Sequence, residues 1–479
     1  MSKLLSRRNF VKAAGFAAAG GALAACGATP APQIVEKVVT QVVEKEVTII
    51  VEGTPQIVKE TVVVEKIVEA TAAPAAVVPV RFSSCGWGGW LSEPWMSIVS
   101  DFNASQGAIN VPEYEDVAEG YQRVMAAAAG NVAADVYMFE NKQMYGFASR
   151  GFFLPLDDFV AASASVKAEN YFENDWEECF FRGKQYLVPF DNSPAMLWYN
   201  PEIFDAAGVA YPPTKYGEWN WDDFLTTAQS LTSGEGAEKI FGWLGPGSNW
   251  YLLNWMWSNG STGFLSDDKT NATFDTPESI EALQWAADLV LKYQVQPLPE
   301  QLTEGGSDGM FFGKRGAMSQ KGTWWAISMK EQEGLKWNVG PQPDGKAGAF
   351  VRNPNDAWGI WLGSAHRSEA WQFVEFLDKD ESLTKLTNAG LSTSKKSVLY
   401  DVFLKQEPQD VNWQLFIDAL EGHVHRHPDT AIFQSMSDAF NPEWDAVIAG
   451  QKPVAEAMAV VTEQVNALLD ACRAEGNCD

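Results

Sequence analysis

Basic residues, histidine and cysteine are all scarce in this chain of 479 residues, and each scarcity excludes a class of function. Lysine and arginine total 35 against 62 acidic residues, so the net charge of −27 would repel a phosphate backbone or an anionic lipid surface. The five cysteines show neither the CxxC spacing of a redox site nor the spacing of a zinc ribbon. No P-loop, Rossmann glycine fingerprint, HExxH or GxSxG motif occurs in its required context. We therefore expect no nucleic-acid partner, no metal and no cofactor.

A membrane-spanning run is not evident near the start of the chain either. The apolar stretch from Ala13 to Ala25 is too short to cross a bilayer, which needs about 20 residues. It follows the pair Arg7-Arg8, which resembles a Tat export signal, and it ends at Leu23-Ala24-Ala25-Cys26, which resembles a lipobox. The sequence therefore predicts a signal peptide over residues 1–25, acylation of Cys26, and a protein held to the outside of the cell membrane by its lipid.

Aromatic residues are missing between Cys26 and Phe82. Residues 26–80 instead repeat a theme of valine, glutamate and lysine interrupted by prolines, which predicts a separate tether that holds the rest of the chain off the membrane. Its valine and isoleucine content is high for a disordered linker. Pairing as strands and self-association both remain open.

Four cysteines besides Cys26 would lie outside the cytoplasm, where disulfides persist. Cys85, Cys179, Cys472 and Cys478 permit three pairings. The six-residue spacing makes Cys472–Cys478 the simplest pair, and it leaves Cys85 with Cys179.

Tryptophan, by contrast, is abundant, with 20 residues. A flat aromatic face is what the C–H face of a sugar stacks on, although most tryptophans in a large protein are simply buried. Helical and strand patterns alternate along the chain from Val78, which predicts α/β units with a parallel sheet. The clearest patterns are strands at Val78–Phe82, Asp135–Phe139, Tyr186–Phe190 and Trp358–Leu362, and helices at Pro94–Asn103, Tyr121–Gly130, Asp222–Leu231, Pro277–Tyr293 with Thr276 as N-cap, Ser368–Leu377 and Val454–Cys472.

Several short segments in a fixed order carry a resemblance to a known family. They are Ala134–Met138, Gly151–Phe159, Tyr186–Phe190, Leu197–Phe204, Ala207–Val209, Asn220–Phe224, Phe274–Glu278, Phe311–Met318 and Gly322–Trp324. With these segments the chain, from about Arg81 to its C-terminus, resembles extracellular solute-binding proteins of family 1, which include maltose- and other oligosaccharide-binding proteins of ABC importers.

The resemblance implies an α/β, two-lobed periplasmic-binding-protein-like fold of type II, with a ligand cleft between lobes that close on binding. Lobe 1 is expected over 81–192 and 336–378, and lobe 2 over 193–335 and 379–479. The expected function is that of a monomeric, membrane-tethered receptor, not an enzyme, which binds a mono- or oligosaccharide and delivers it to an ABC permease.

Candidate ligand contacts in lobe 1 come from three places. Trp87 and Trp90 lie among glycines that leave their faces open, with ordinary packing as the alternative. The resemblance assigns Phe139, Glu140 and Asn141 to the cleft, whereas Lys142-Gln143 replaces the usual Asp-Arg pair and argues against maltodextrin. Asp191, Asn192 and Ser193 are polar residues between two apolar runs, where they serve either as cleft contacts or as a turn.

Candidates further along the chain are mostly aromatic. Trp250 and Trp324 match the family's aromatic contacts, with Trp324 at its main stacking position. Asp356 and Trp358 precede a predicted strand near the second crossing between lobes.

His423, His425 and His427 alternate as a zinc site on a strand could, but no cysteine or acidic cluster accompanies them and Pro428-Asp429 reads as a turn. We therefore assign them to a loop and not to a metal. Two other functions stay open: a secreted carbohydrate-active enzyme, which needs two carboxylates flanking one bond, and a sensory receptor of the same fold.

Overall fold

A computed structural model describes residues 37–51, 53–68, 76–84, 91–115, 120–246, 249–426 and 430–478. The predictions for Arg7, Arg8, Cys26, Cys85, Trp87, Trp90 and His427 lie outside these residues. The chain divides between Ala76 and Val77 into two compact units. No helix within the described ranges has the length and hydropathy needed to cross a membrane.

The first unit contains a long β-hairpin. Strand β1 (Lys37–Val51) pairs antiparallel with β2 (Thr54–Val68) along its whole length, so that Lys37 lies opposite Val68 and Val51 opposite Thr54. Gly53 at the turn has a φ of 84°, a conformation that favours glycine. Of the two possibilities left open for this segment, strand pairing is therefore present within the chain.

The second unit is built around two mixed sheets. The thirteen strands described in it are β3 (Val78–Pro79), β4 (Phe82–Ser84), β5 (Ile109–Asn110), β6 (Tyr114–Glu115), β7 (Val136–Glu140), β8 (Phe180–Phe181), β9 (Lys184–Gln185), β10 (Leu187–Asn192), β11 (Met196–Tyr199), β12 (Phe241–Pro246), β13 (Gly316–Lys321), β14 (Asn338–Gly340) and β15 (Asn355–Ile360). The first sheet has the order β10-β15-β7-β4-β6 and the second β12-β13-β11-β14, while β3 with β5 and β8 with β9 form small pairs. This is the predicted two-lobed α/β architecture.

Helices pack around both sheets. They are α1 (Ser92–Ser105), α2 (Gly120–Ala129), α3 (Asn141–Ala148), α4 (Asp157–Ala162), α5 (Glu173–Glu177), α6 (Pro201–Ala207), α7 (Trp221–Leu231), α8 (Leu252–Ser258), α9 (Pro277–Leu291), α10 (Gly306–Phe312), α11 (Trp325–Lys330), α12 (Arg367–Leu377), α13 (Asp380–Ala389), α14 (Lys396–Asp401), α15 (Gln414–Gly422), α16 (Phe433–Ile448) and α17 (Val454–Ala474). Thr276 caps α9 as expected, because its hydroxyl accepts a hydrogen bond from the Ser279 N–H at 3.3 Å.

The chain crosses between the sheets at short segments. Residues 193–195 join β10 of the first sheet to β11 of the second, and residues 341–354 return from β14 to β15. Two segments belong to the other sheet from the one that the predicted lobe ranges assign them to. Strand β14 pairs with β11 in the second sheet although 336–378 was expected in lobe 1, and α13 packs in the first sheet's core although 379–479 was expected in lobe 2. The leucines of α13 cover α1 and α12, and this packing was not visible in its local pattern.

The predicted disulfide between Cys472 and Cys478 is present at the end of α17, with Cα atoms 5.2 Å apart. The predicted strand from Val78 to Phe82 is interrupted, because β3 pairs with β5 whereas β4 enters the first sheet. Strand β15 begins at Asn355 and not at Trp358, so Asp356 is part of the sheet rather than of the segment before it.

Candidate functional site

A cavity of about 390 Å³ lies where loops from both sheets meet. It is lined by Glu140, Lys142, Asp191, Ser193, Trp250, Tyr251, Trp324, Ser328, Arg352, Pro354, Asp356 and Leu391. Strands β7 and β10 of the first sheet, and β12 and β13 of the second, all approach it with their carboxyl ends. This is the position in which open α/β sheets bind their ligands.

The first sheet contributes three carboxylates, Glu140, Asp191 and Asp356, which we call the charged wall. Strand β15 lies between β7 and β10, and its register places Asp356 opposite Glu140 on one side and opposite Asp191 on the other. Three acids on adjacent strands at one level of a sheet come close together, because neighbouring strands lie about 5 Å apart. Strand pairing alone thus concentrates negative charge at this edge.

Glu140 is neutralised by two cations. It forms ion pairs with Lys142 and with Arg352, whose Nη2 lies 3.2 Å from Glu140 Oε1. Burial by itself would raise the pKa of Glu140, but the charges and hydrogen bonds of Lys142 and Arg352 outweigh burial and hold the pKa below its ordinary value. Glu140 is therefore ionised at neutral pH.

Asp191 and Asp356 behave differently. Their exposed fractions are 2% and 8%, the two residues are direct cross-strand partners, and Oδ1 of each is buried without a hydrogen-bond partner. Burial raises the pKa of Asp191 well above its ordinary value. Burial and the repulsion of Asp191 and Glu140 do the same for the pKa of Asp356. The two carboxyls therefore form an acid pair that holds a proton more tightly than an isolated aspartate does.

The second sheet contributes Trp250, Tyr251 and Trp324, which we call the aromatic wall. Trp250 and Tyr251 lie in a 3₁₀ turn (Asn249–Tyr251) after β12, and Trp324 directly precedes α11 after β13. The Trp250 ring stacks on Phe433 with centroids 4.2 Å apart. Arg352 reaches this wall as well, with its guanidinium 5.9 Å from the centroid of the Tyr251 ring.

Trp324 sits at the first crossing between the sheets. Its backbone N–H lies 3.4 Å from the Ser193 hydroxyl, which in turn hydrogen-bonds the Thr323 hydroxyl at 2.9 Å. The half-buried Trp324 ring packs against the cores of both sheets. Gly322 supports this arrangement, since an added Cβ there would lie 2.4 Å from Ser193 Oγ and 2.7 Å from Trp324 Nε1.

Of the predicted ligand contacts, Glu140, Asp191, Ser193, Trp250, Trp324 and Asp356 line the cavity. Asn141 begins α3, and its side chain lies outside the described part of the structure, as do Trp87 and Trp90.

Three predicted contacts are placed elsewhere. Phe139 points to the face of β7 opposite Glu140 and is fully buried among phenylalanines, because successive side chains of a strand alternate. Trp358 is fully buried against Phe190, with ring centroids 4.5 Å apart. Asn192 donates from Nδ2 to Asp175 Oδ2 at 3.1 Å and accepts from the Ser392 hydroxyl at 2.6 Å, so both ends of its amide are engaged beneath the cavity.

Sequence reasoning missed Lys142, Tyr251, Ser328, Arg352, Pro354 and Leu391 as cavity-lining residues. Arg352 carried one usable signal, since it is a cation three residues before β15, near the second crossing between the sheets. Its partner, Glu140, is 212 residues away, and that pairing has no local signature.

His423 and His425, the two members of the histidine cluster within the described residues, both pack against aromatic rings. His423 stacks on Tyr216 with centroids 3.8 Å apart, and its Nδ1 lies 2.9 Å from the Ala349 carbonyl. His425 stacks on Trp257 at 4.5 Å. Across the described ranges, no group of three or more His, Cys, Asp or Glu is arranged to hold a metal ion.

Comparison with known proteins gives concordant matches. The family model for the bacterial extracellular solute-binding protein matches residues 88–382. A putative binding protein of Brucella abortus is 24% identical over 289 residues, which is 59% of this chain and 68% of that protein. An arabinooligosaccharide-binding protein of Halalkalibacterium halodurans is 29% identical over 151 residues, 32% of this chain and 28% of that protein. An ABC substrate-binding protein of Listeria monocytogenes, solved with cycloalternan, superposes with a TM-score of 0.74 at 19% identity, covering 82% of this chain and 100% of that one.

Proposed function

Since this chain belongs to the family of bacterial extracellular solute-binding proteins, we propose that its cavity binds a mono- or oligosaccharide for delivery to an ABC permease. The observation that carries the proposal is the meeting of two chemically different walls in one cavity, with carboxylates from the first sheet and aromatic rings from the second. Sugars present both complementary features, because their C–H faces stack on aromatic rings and their adjacent hydroxyls can be bound by planar carboxylates. The cycloalternan and arabinooligosaccharide named for two similar proteins belong to the same class of ligand.

The two sheets would act as two lobes that close on the ligand about the crossing segments. Trp324 and Ser193 lie at the first crossing, and Arg352 and Pro354 at the end of the second, so the bound solute would touch both lobes and the segments between them. Binding would thereby stabilise the closed form that a permease recognises.

A thermal-shift screen against mono- and oligosaccharides tests the proposal. A ligand at 100 times its dissociation constant stabilises the folded state by about 2.7 kcal/mol, which a melting curve resolves. We expect the shift to become smaller in Trp324→Ala and to stay unchanged in Trp361→Ala, a half-buried tryptophan that does not line the cavity. A complete panel without a shift, confirmed by calorimetry, would refute sugar binding.

Tethering at Cys26 is a separate part of the proposal. It rests on the twin-arginine and lipobox patterns of residues 1–26. A Cys26→Ser protein should leave the membrane fraction. Retention of that variant in salt-washed membranes would refute the lipid anchor without affecting the binding function.

We propose that the carboxylates of the cavity bind rather than cleave sugars. Glycosidases place two carboxyls on either side of the bond they cleave, whereas the carboxyls of this cavity all lie on one wall, on adjacent strands of the first sheet. Incubation with oligosaccharides should yield no shorter products. Cleavage that disappears in Asp191→Asn would establish the enzyme instead.

A further inference from the structure

The acid pair of Asp191 and Asp356 has no protein counter-ion. Among the ion pairs of the described residues, the two cations of the cavity, Lys142 and Arg352, both bind Glu140. No Lys or Arg of the described ranges forms an ion pair with Asp191 or Asp356. The charges around the pair are thus Glu140, Lys142 and Arg352 at the cavity and Asp175 beneath it.

These surroundings favour an additional positive charge. Glu140 and Asp175 both act on the pair as negative charges, while Lys142 has a weaker opposing effect on Asp356. Together the cavity carboxyls outnumber the cavity cations by three to two. A buried carboxylate is stable when it is paired, and the oxygen atoms without partners mark where a donor is missing.

A protonated amine fits this gap better than a hydroxyl does. An ammonium group offers three donors and a full positive charge, so it can bridge two carboxylates at once. The rings of Trp250, Tyr251 and Trp324 add aromatic surface to the same cavity, and such rings attract cations through their faces. A neutral hydroxyl would leave the two acids dependent on a shared proton.

We propose that the solute taken by this cavity is a polyhydroxylated compound carrying a protonated amino group, such as an amino sugar or an aminocyclitol, bound with its ammonium between Asp191 and Asp356. This inference rests on the proposed sugar-binding function and adds the charge of the ligand to it. The hydroxyls would meet the remaining polar groups of the cavity, and the ring face would meet the aromatic wall.

Isothermal titration calorimetry of the full folded chain with two matched series tests the inference. One series contains glucosamine and its β-linked dimer, and the other contains glucose, N-acetylglucosamine and cellobiose. We expect the amines to bind at least about tenfold more tightly than their neutral counterparts, as charge pairs in buried sites do. Titration in two buffers of different ionisation enthalpy should show release of about one proton per amine bound, because the ammonium displaces the proton of the acid pair, and no release for neutral sugars.

Asp191→Asn provides the decisive variant. It should weaken amine binding about tenfold or more and abolish proton release, whereas Asp470→Asn, an exposed acid on α17, should change neither. Melting curves of the unliganded variants establish that each is folded, and Asp356→Asn replaces Asp191→Asn if the latter is not. Equal or tighter binding of the neutral series, or amine affinity unchanged in the folded Asp variant, would overturn the inference and leave sugar binding standing. Failure of both series to bind would overturn the proposed function itself and this inference with it.

Discussion

The two walls of the cavity come from two sheets and are built by different means. The charged wall lies within strands, where register places Asp356 between Glu140 and Asp191. The aromatic wall lies on turns that follow strands, where Trp250 and Trp324 have room to present a face. Backbone pairing within a sheet holds the side chains of a strand in a fixed register. Residues in a turn or at the start of a helix are less constrained. The charged wall therefore has its positions set by the sheet, whereas the aromatic wall lies on segments outside the sheet.

The largest effect on the charged wall is expected from removing Arg352, the buried cation that pairs with Glu140. Arg352→Met leaves Glu140 partly buried with only Lys142, and we expect the free energy of unfolding to fall by about 3 kcal/mol, the lower end for a broken buried pair. Arg426→Met is the matched control, because its pair with Glu177 is exposed and should matter by less than about 1 kcal/mol. Urea denaturation measures both. Equal losses of unfolding free energy in the two variants would mean that burial does not increase the contribution of the Glu140 pair to stability.

A second prediction concerns the acid that underlies the charged wall. Burial raises the pKa of Asp175 to about 7, even though the amides of Asn192 and Asn353 donate to it at 3.1 and 2.7 Å. An acid whose pKa is raised on folding stabilises the folded state below its unfolded pKa, and this contribution is lost as pH rises through about 7. Stability should therefore fall by about 2 to 3 kcal/mol between about pH 5 and pH 8 on account of this residue.

Asp175→Asn should flatten this pH dependence, although it lowers stability at low pH because one amide donor loses its acceptor. Thermal denaturation across the pH range, compared with Asp101→Asn at an exposed site, separates the two effects. A variant whose stability falls as steeply as that of the wild type would show that Asp175 titrates normally.

The aromatic wall is tested by Trp324→Ala. We expect ligand affinity to fall by about 1 to 3 kcal/mol, the scale of an aromatic contact together with the apolar area it covers. Calorimetry gives the affinity, and a melting curve of the free protein gives its stability. Unchanged affinity would make Trp324 a structural residue, and a large loss of stability without ligand would mean that its contacts with both cores dominate.

The smallest expected effect sharpens the comparison within the charged wall. Lys142 is 24% exposed in its pair with Glu140, whereas Arg352 is 6% exposed, so water already screens the lysine. Lys142→Met should therefore cost about 1 kcal/mol or less in urea denaturation. A loss as large as that of Arg352→Met would show that the two cations act as one unit.

The sequence was sufficient for the fold and for about half of the cavity. Asp191 near the end of β10, and Trp250 and Trp324 in the segments that follow β12 and β13, were predicted because local pattern and family resemblance agree there. Phe139 was misplaced because one step along a strand reverses the face of a side chain. Trp358 was misplaced because β15 begins three residues earlier than predicted, so that Trp358 lies within the sheet and stacks on Phe190.

The pairing of Arg352 with Glu140 could not be predicted from local sequence patterns. Its function as the partner of Glu140 depends on β15 lying between β7 and β10, an order that connects residues 140, 191 and 356 across the chain. Strand order is set by long-range packing, and a single sequence does not display it. The same reason explains α13, which continues the helical pattern beyond 378 but packs back on the first sheet's core.

The hairpin of the first unit changes how the segment before the binding unit is understood. Each strand has 15 residues and extends for about 50 Å, a length that would suit a long spacer. Because Lys37 and Val68 are cross-strand partners, however, the chain enters and leaves the hairpin within about 5 Å. The hairpin is thus a side branch whose length adds no reach between its two ends. Lengthening both strands equally would therefore leave the distance between Lys37 and Val68 unchanged.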